Sequence, residues 1–280
     1  MKKIFIFISL IMSIVFVSTF VSCDKDNENG SDNGVSVNTL SAKWEISDNN
    51  SPYASFEFNK DGNYIVVEND FETNLRSLST SSKKSLFKSN ISKVVSMRSS
   101  QSNLSSIHFG TYKIEGNKII LSGFGLMEVI SITNEEFSFS FTLEATGEKN
   151  SFVAGKSDEP ISSSSRTNML CRTWYCEKIT FTENALELEE IELLEEMAEE
   201  MTGMTILLSK AGTYLCLYTN EEAGLAEWKW ANEEETQFYF SWENWTEDLD
   251  EMSIATINQL NVNSLEVQDY FFIYHLTLKN

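Results

Sequence analysis

Phe58-Asn59-Lys60-Asp61-Gly62-Asn63-Tyr64 decides the fold, because Leu208-Ser209-Lys210-Ala211-Gly212-Thr213-Tyr214 repeats its pattern in the second half of the chain. In each stretch an apolar residue enters a polar turn, a glycine follows, and a tyrosine ends the pattern. Glycine adopts the positive φ that a tight turn between two strands needs. Both stretches therefore predict a β-hairpin.

Further matches flank the two hairpins, and they come in the same order in both halves. Chance matches would not keep one order, so the chain is predicted to contain two copies of one domain. The matched stretches are Leu40–Trp44 with Leu170–Trp174, Tyr112–Ile114 with Trp228–Trp230, and Ile132–Phe137 with Leu260–Leu265.

The repeat predicts two domains, 38–153 and 169–280, joined by a linker, 154–168. The linker contains Pro160 and a run of four serines, a composition typical of connecting segments. Within both domains, apolar and polar residues alternate over short runs, as they do in half-buried strands. Many short strands with regular turns indicate a sandwich or a barrel, so the predicted fold class is all-β and antiparallel.

Taken together, the Leu-x-x-x-Trp stretches, the two glycine hairpins and the Tyr/Trp-Lys-Ile/Trp stretches resemble the lipocalin-like domain of Bacteroidetes lipoproteins. Members of that family are small calycin-type barrels. The resemblance implies two tandem lipocalin-like β-barrels, each with a cup-shaped interior.

Each copy carries one insertion that the other lacks. In the second copy, apolar residues at helical spacing among glutamates predict an amphipathic helix over about 183–202. Its apolar stripe, Leu186, Leu193, Leu194, Met197, Ala198 and Met201, either packs as ordinary core or closes the mouth of the barrel. In the first copy, a serine-rich, basic insertion spans about 71–107. It is interpreted as a surface loop, with docking to the acidic helix or to an anionic partner as the alternative.

The N-terminus predicts secretion and lipid anchoring. Two lysines follow Met1, the stretch Ile4–Val17 is almost entirely apolar, and Cys23 comes shortly afterwards. This order resembles a lipoprotein signal, so 1–22 is predicted to be a signal peptide and Cys23 the lipidated residue. The acidic stretch 23–37 is predicted to be a flexible tether, and it resembles the signal that exports such lipoproteins to the cell surface. The alternative is a cleaved signal followed by an incidental cysteine.

We therefore expect attachment to the outer membrane through the acyl chains on Cys23, at the cell surface or on the periplasmic face. The chain has 21 basic and 42 acidic residues, a formal net charge of −21. Phosphates require a basic surface, so a nucleic-acid partner is not expected.

The inventory of reactive side chains predicts no catalytic residue, no metal site and no cofactor, and hence no enzyme. Only His108 and His275 are present, and neither belongs to a recognisable catalytic or zinc motif. Cys176 and Cys216 have the same strand parity as Trp174 and Tyr214. If their strands are neighbours, a disulfide can form in an oxidising compartment; buried free thiols are the alternative.

The aromatic residues of the second copy provide the candidate binding surface. They line a pocket, fill a core, or, if they face outward, stack on sugar rings; core packing is the default for alternating aromatics. The candidate ligand-binding residues are Trp174, Tyr214, Trp228, Trp230, Phe238, Phe240 and Trp242.

The predicted function is non-enzymatic binding of a small apolar or amphiphilic ligand in a lipocalin-like barrel. The alternative is a structural or adhesive surface module, in which solid barrels contact a protein or a glycan. An interior cavity of about 300 Å³ or more favours the first, and a close-packed interior favours the second.

Overall fold

The structure is a computed structural model, and it describes residues 35–69, 102–103, 107–157, 161–186, 191–220, 222–242 and 254–279. The predicted signal peptide, Cys23 and nearly all of the predicted tether lie outside these residues. So does most of the insertion predicted over 71–107. The helices within the described part are not long and apolar enough for any of them to cross a membrane.

The first barrel follows a short helix, α1 (Val37–Leu40), and its eight strands form a closed antiparallel meander. Each strand pairs with the next one in the barrel, and the last pairs with the first. Strand β4 (Ser102–Asn103) pairs with the second barrel and is described below. The strands of the first barrel are β1 (Lys43–Ile46), β2 (Tyr53–Phe58), β3 (Asn63–Glu68), β5 (Ile107–Glu115), β6 (Lys118–Leu121), β7 (Gly125–Ile132), β8 (Glu136–Leu143) and β9 (Lys149–Lys156).

The second barrel begins after α2 (Ser165–Leu170) and repeats this meander, with its last strand pairing with its first. Two helices, α3 (Glu183–Leu186) and α4 (Ile191–Met201), lie between its first two strands. The strands are β10 (Thr173–Phe181), β11 (Thr205–Leu208), β12 (Thr213–Leu217), β13 (Glu222–Trp230), β14 (Gln237–Ser241), β15 (Ile254–Leu260), β16 (Ser264–Gln268) and β17 (Phe272–Leu278). The prediction of an all-β chain with two tandem antiparallel barrels is confirmed.

The repeated motifs occupy equivalent places in the two barrels. The Trp44 indole donates a hydrogen bond to the Leu40 carbonyl at 2.8 Å, and Trp174 does the same to Leu170 at 2.9 Å. Each tryptophan therefore ties the first strand of its barrel to the short helix before it. The glycine hairpins join β2 to β3 and β11 to β12, and Gly62 and Gly212 both have positive φ, as the sequence pattern requires.

The two barrels pack against each other within one compact unit, Gly34–Asn280. Outward side chains of β3 and β5 meet those of β11, β12 and β13 in a separate apolar cluster. Ile65 and Leu215 occupy equivalent positions on the two third strands of the barrels, so like faces are in contact. The buried members of the cluster are Ile65, Val67, Ile107, Leu207, Leu215 and Ala223.

The insertion of the first copy adds one short piece to the second barrel. Its two-residue strand β4 (Ser102–Asn103) pairs antiparallel with β13 at Ala223 and Glu222. This pairing lies at the N-terminal end of β13, beyond the residues that pair with β14.

The segment predicted to be a linker, 154–168, is shorter in the structure. Ala154 lies buried in β9 and Ser165 begins α2, because both belong to the regular elements of their barrels.

The amphipathic helix is present, but its apolar stripe is narrower than the sequence predicts. Leu194, Met197, Ala198 and Met201 of α4 are buried in the core of the second barrel. Leu193 is 36% exposed because it is rotated about 100° from Leu194 around the helix. Leu186 is 62% exposed because it ends the separate helix α3, where Ala185 is buried instead.

Candidate ligand cavity of the second barrel

A cavity of about 100 Å³ lies inside the second barrel. Met197 and Met201 of α4 line it from one side, and inward residues of the strands line the rest. Helix α4 therefore packs as part of the core and also covers part of the cavity. Its apolar face combines the two roles that the sequence left open, core packing and closure of the barrel. Thioether side chains are flexible, so this part of the wall can adapt to the shape of a ligand.

Comparison of the two barrels gives the reason for the cavity. The strand registers place Ile206, Leu208, Leu265, Val267 and Asp269 where the first barrel has phenylalanine. All five of these smaller side chains line the cavity. The phenylalanines that they replace are Phe56, Phe58, Phe137, Phe139 and Phe141, in that order, and each is 2% exposed or less.

In the first barrel those five rings pack edge to face and at tilted angles. Phe56 lies 5.2 Å from Phe139 and 5.6 Å from Phe141, between ring centroids, and Phe137 lies 4.5 Å from Phe139. Tyr53 adds an edge contact to Phe141 at 5.7 Å. This is a filled aromatic core, stabilised by area burial and by ring geometry. The first barrel is therefore solid where the second has space.

The seven predicted binding residues divide into two groups. Tyr214, Phe238, Phe240 and Trp242 line the cavity. The three other tryptophans belong to the core around α2: Trp174 bonds to the Leu170 carbonyl, Trp230 donates to Thr167 Oγ1 at 2.9 Å, and Trp228 meets Trp230 edge to face. Trp174, Trp228 and Trp230 are not cavity residues, because their indole N–H groups hold them against the backbone and side chains at that end.

Trp242 reaches its place because β13 has a glycine at the facing position. A Cβ atom at Gly224 would lie only 2.5 Å from Cζ3 of the Trp242 ring. The equivalent position in the first barrel is His108, whose ring stacks on Phe124 at 4.0 Å between centroids. The absence of a side chain at position 224 thus allows a large aromatic ring to form part of the cavity wall.

Among the described residues, Asp269 is the one charged side chain that lines the cavity. Its Oδ1 accepts hydrogen bonds from the backbone N–H groups of Phe271 and Phe272, at 2.9 and 2.7 Å. Its Oδ2 accepts a hydrogen bond from the Tyr274 hydroxyl at 2.7 Å. Burial raises the pKa of Asp269 above its usual value, and the three hydrogen bonds oppose that rise.

Four tyrosines, Tyr214, Tyr218, Tyr270 and Tyr274, line the cavity together with Asp269. Burial raises the pKa of Tyr214 and of Tyr274 well above the usual value, and the Asp269 carboxylate raises both further. These phenols are therefore neutral at physiological pH and can act as hydrogen-bond donors or acceptors. The cavity thus combines a largely apolar wall with one polar corner.

Cys176 and Cys216 are buried free thiols. The premise of a disulfide, that their strands are neighbours, is wrong: β11 lies between β10 and β12, and Ile206 pairs with Cys216. Two strand spacings are about 9.5 Å, whereas the Cα atoms of a disulfide are usually about 4.4 to 6.8 Å apart. Burial raises the pKa of both thiols to about 12.

Each histidine makes a close contact with a carboxylate. His108 Nε2 lies 2.8 Å from Glu68 Oε1. His275 Nδ1 lies 3.1 Å from Glu266 Oε2, while its Nε2 lies 3.0 Å from Thr180 Oγ1. The second set has the hydroxyl–imidazole–carboxylate order of a catalytic triad, but its members are cross-strand neighbours on the outer face of β10, β17 and β16. None of them lines the cavity.

Sequence reasoning missed Asp269, Tyr218 and Tyr270 as cavity residues, whereas Met197 and Met201 were in the stripe predicted to pack as core or to close the barrel. A signal for Asp269 was present, because the repeat aligns it with Phe141, an inward position. Within the described part of the chain, no group of three or more His, Cys, Asp or Glu side chains could hold a metal ion.

Comparison of the chain with protein-family models gives no match, and comparison with curated proteins gives none either. The resemblance to lipocalin-like lipoproteins therefore stays a prediction.

Proposed function

We propose that the chain is a lipid-anchored protein of the outer membrane, exposed at the cell surface, that binds a small apolar or amphiphilic molecule without catalysis. The cavity of the second barrel is the binding site in this proposal. The observation that carries it is the difference between the two copies: one barrel is filled by five phenylalanines, and the other has smaller side chains and space at the same positions.

The size of the cavity limits the ligand. At about 100 Å³ it does not reach the volume of about 300 Å³ given above as favouring ligand binding, and cavities that hold drug-sized molecules extend to about 1,000 Å³. An apolar cavity of about 150 Å³ binds benzene, which sets the scale. The proposed ligand is therefore a short alkyl chain, the end of a longer chain, or at most a single ring, for which the flexible methionine side chains of α4 have to move.

The filled core of the first barrel supports different roles for the two barrels, structural for the first and ligand binding for the second. Its core resembles the solid module that the alternative function requires, and its outer face packs on the second barrel through the apolar cluster around Ile65 and Leu215. We infer that the first barrel is a structural support, standing between the proposed anchor and the binding barrel in the order of the chain.

The repeat itself provides the test of ligand binding. Val267→Phe restores the residue that the first barrel has at Phe139, so it should fill the cavity. Val153→Phe is the matched control, because Val153 is 58% exposed on the outside of the first barrel. Binding of toluene to the purified mature chain is measured by calorimetry, and native mass spectrometry detects any co-purified molecule.

We expect toluene affinity to fall at least about tenfold in Val267→Phe and to be unchanged in Val153→Phe. If the unmodified protein binds no toluene and carries no small molecule from cells, the binding function is refuted and the structural module is favoured.

The proposed anchor has its own test. Cells that express the full chain are grown with an alkyne-labelled fatty acid, and the label on the protein is compared with that on a Cys23→Ser variant. Label that depends on Cys23, together with protease sensitivity in intact cells, supports a surface lipoprotein. Absence of label from the unmodified chain would overturn the anchor but not the binding site.

A further inference from the structure

The carboxylate of Asp269 has only neutral hydrogen-bond partners. They are two backbone N–H groups and one phenol, and together they occupy three of about four acceptor sites on a carboxylate. Within the described ranges of the chain, no positively charged group contributes to its pKa. Enclosed carboxylates in proteins are usually paired with a cation, because hydrogen bonds to neutral groups only partly replace hydration.

The surroundings of the cavity do not supply that cation from the described residues. No Lys, Arg or His is among the side chains that line it. In the part of the chain that the structure describes, the carboxylate of Asp269 faces the apolar cavity without a counter-charge, which favours a ligand that brings a positive charge.

The wall near this corner suits an organic cation. Tyr214 packs against Phe240 at 5.9 Å and against Trp242 at 5.7 Å, between ring centroids, and all three line the cavity. The faces of such rings attract ammonium groups, by about 0.5 to 2 kcal/mol in known cases. Aromatic rings also accept the apolar part of the same ligand.

The electrostatic field of the whole chain favours a cation, as the Asp269 carboxylate does. Helix α4, which covers part of the cavity with Met197 and Met201, carries five glutamates among its eleven residues. With a net charge of −21, the chain as a whole attracts cations and repels anions. A fatty acid or another organic anion would have to enter against this field and lie against a carboxylate.

We propose that the ligand of the second barrel is a small hydrophobic amine, bound with its ammonium group against Asp269 and its apolar part among the aromatic and methionine side chains. This inference rests on the proposed binding function and specifies the ligand class. The fourth acceptor site of the carboxylate receives an N–H of the ligand, and the hydroxyl groups of Tyr214 and Tyr218 lie in the same cavity.

Three probes of one size and different charge test the proposal. Benzylamine is cationic at neutral pH, benzyl alcohol is neutral and benzoate is anionic. Their affinities for the full mature chain are measured by calorimetry for the unmodified protein and for two variants. Asp269→Asn removes the charge but keeps an acceptor for the turn. Glu266→Gln is the matched control, since it removes one charge from the outer face of β16, the strand that ends just before Asp269.

The unmodified protein should bind benzylamine at least about tenfold more tightly than benzyl alcohol, and benzoate most weakly. Asp269→Asn should abolish the preference for the amine but retain binding of the alcohol, which also shows that the variant is folded. Glu266→Gln should keep the preference.

Equal affinity for the three probes, tightest binding of benzoate, or an amine preference that survives in Asp269→Asn would overturn the amine proposal. In those cases the binding of the ring still supports the proposed function. If no probe binds, both proposals fail together.

Discussion

A single buried carboxylate, Glu57, lies between the two barrels. It is 2% exposed, and its Oε2 accepts a hydrogen bond from Thr213 Oγ1 of the other barrel at 2.6 Å. Its Oε1 has no hydrogen-bond partner within the described part of the chain. Burial raises its pKa, and hydrogen bonds from Ser209 and Thr213 and the charge of Lys43 only partly oppose that rise. The equivalent position in the second copy is Leu207, an apolar member of the interface.

Glu57→Gln should stabilise the protein at neutral pH. A carboxyl group whose pKa is higher in the folded than in the unfolded state favours folding when it is protonated. Its ionised form therefore destabilises the folded state increasingly as the pH rises from the unfolded-state pKa through the folded-state pKa. We expect a gain of about 1 to 3 kcal/mol in the free energy of unfolding at neutral pH and little gain near pH 4.

Urea unfolding at the two pH values measures this effect. Glu136→Gln is the control, because Glu136 is exposed at the start of β8. An equal effect of both substitutions, or a gain for Glu57→Gln that is larger at acid pH, would contradict the prediction.

Each barrel also depends on one tryptophan N–H group. Trp44 and Trp174 are fully buried, and each donates to the carbonyl of a leucine four residues earlier. Trp174→Phe keeps most of the apolar volume but leaves the Leu170 carbonyl without this bond. Together with the small void, this should lower the free energy of unfolding by about 2 to 4 kcal/mol, as measured by urea unfolding.

Trp44→Phe should have a similar cost, since it removes the equivalent bond in the other copy. Tyr175→Phe, at a position 41% exposed on the same strand as Trp174, should have little effect. A negligible loss in both tryptophan variants would show that the repeated hydrogen bond does not stabilise the barrels.

At the scale of elements, strands β8 and β16 explain the different interiors. The first places Phe137, Phe139 and Phe141 inward, and the second places Leu265 and Val267 inward and ends before Asp269. The shorter β16 brings its turn earlier, where Asp269 accepts the backbone N–H groups of Phe271 and Phe272. The polar corner of the cavity is therefore a consequence of where this hairpin turns.

Phe139→Val should create in the first barrel the type of space that the second barrel has. Because Phe139 contacts Phe56, Phe137 and Phe152, the remaining rings cannot fully close the gap. The expected cost is about 2 to 4 kcal/mol in the free energy of unfolding, measured by urea unfolding. Val267→Phe should cost less, because it fills an existing cavity; if it costs as much as Phe139→Val, the second barrel has no room for the ring.

At the scale of the whole molecule, the interface between the barrels couples them into one unit. Leu215 is fully buried in the apolar cluster that joins them. Leu215→Asp should place an unpaired charge in this cluster and separate the barrels energetically, so that scanning calorimetry resolves two transitions instead of one. Val262→Asp is the control, because Val262 is 60% exposed. Two transitions in the unmodified protein would contradict strong coupling.

The repeat and its hairpins were sufficient to predict two antiparallel all-β domains, and the choice of a barrel over a sandwich came from the resemblance to lipocalin-like domains. Leucine–tryptophan pairs, glycine turns and alternating residues each depend on local geometry, and the two copies reinforce each other. The candidate site was predicted less well: Tyr214 and Trp242 line the cavity, whereas Trp174 and Trp228 belong to a core. All four are large aromatic residues on strands, so their pattern does not distinguish the two ends of a barrel.

The sequence by itself determined two all-β copies, their glycine hairpins and a glutamate-rich helix, because these follow from residue spacing over short distances. Only the tertiary structure decided that one barrel is filled and the other has a cavity, that β11 separates Cys176 from Cys216, and that Asp269 faces the interior. These features depend on which side chains meet across the barrel. The alternation of residues along one strand does not specify the packing between residues that are distant in the chain.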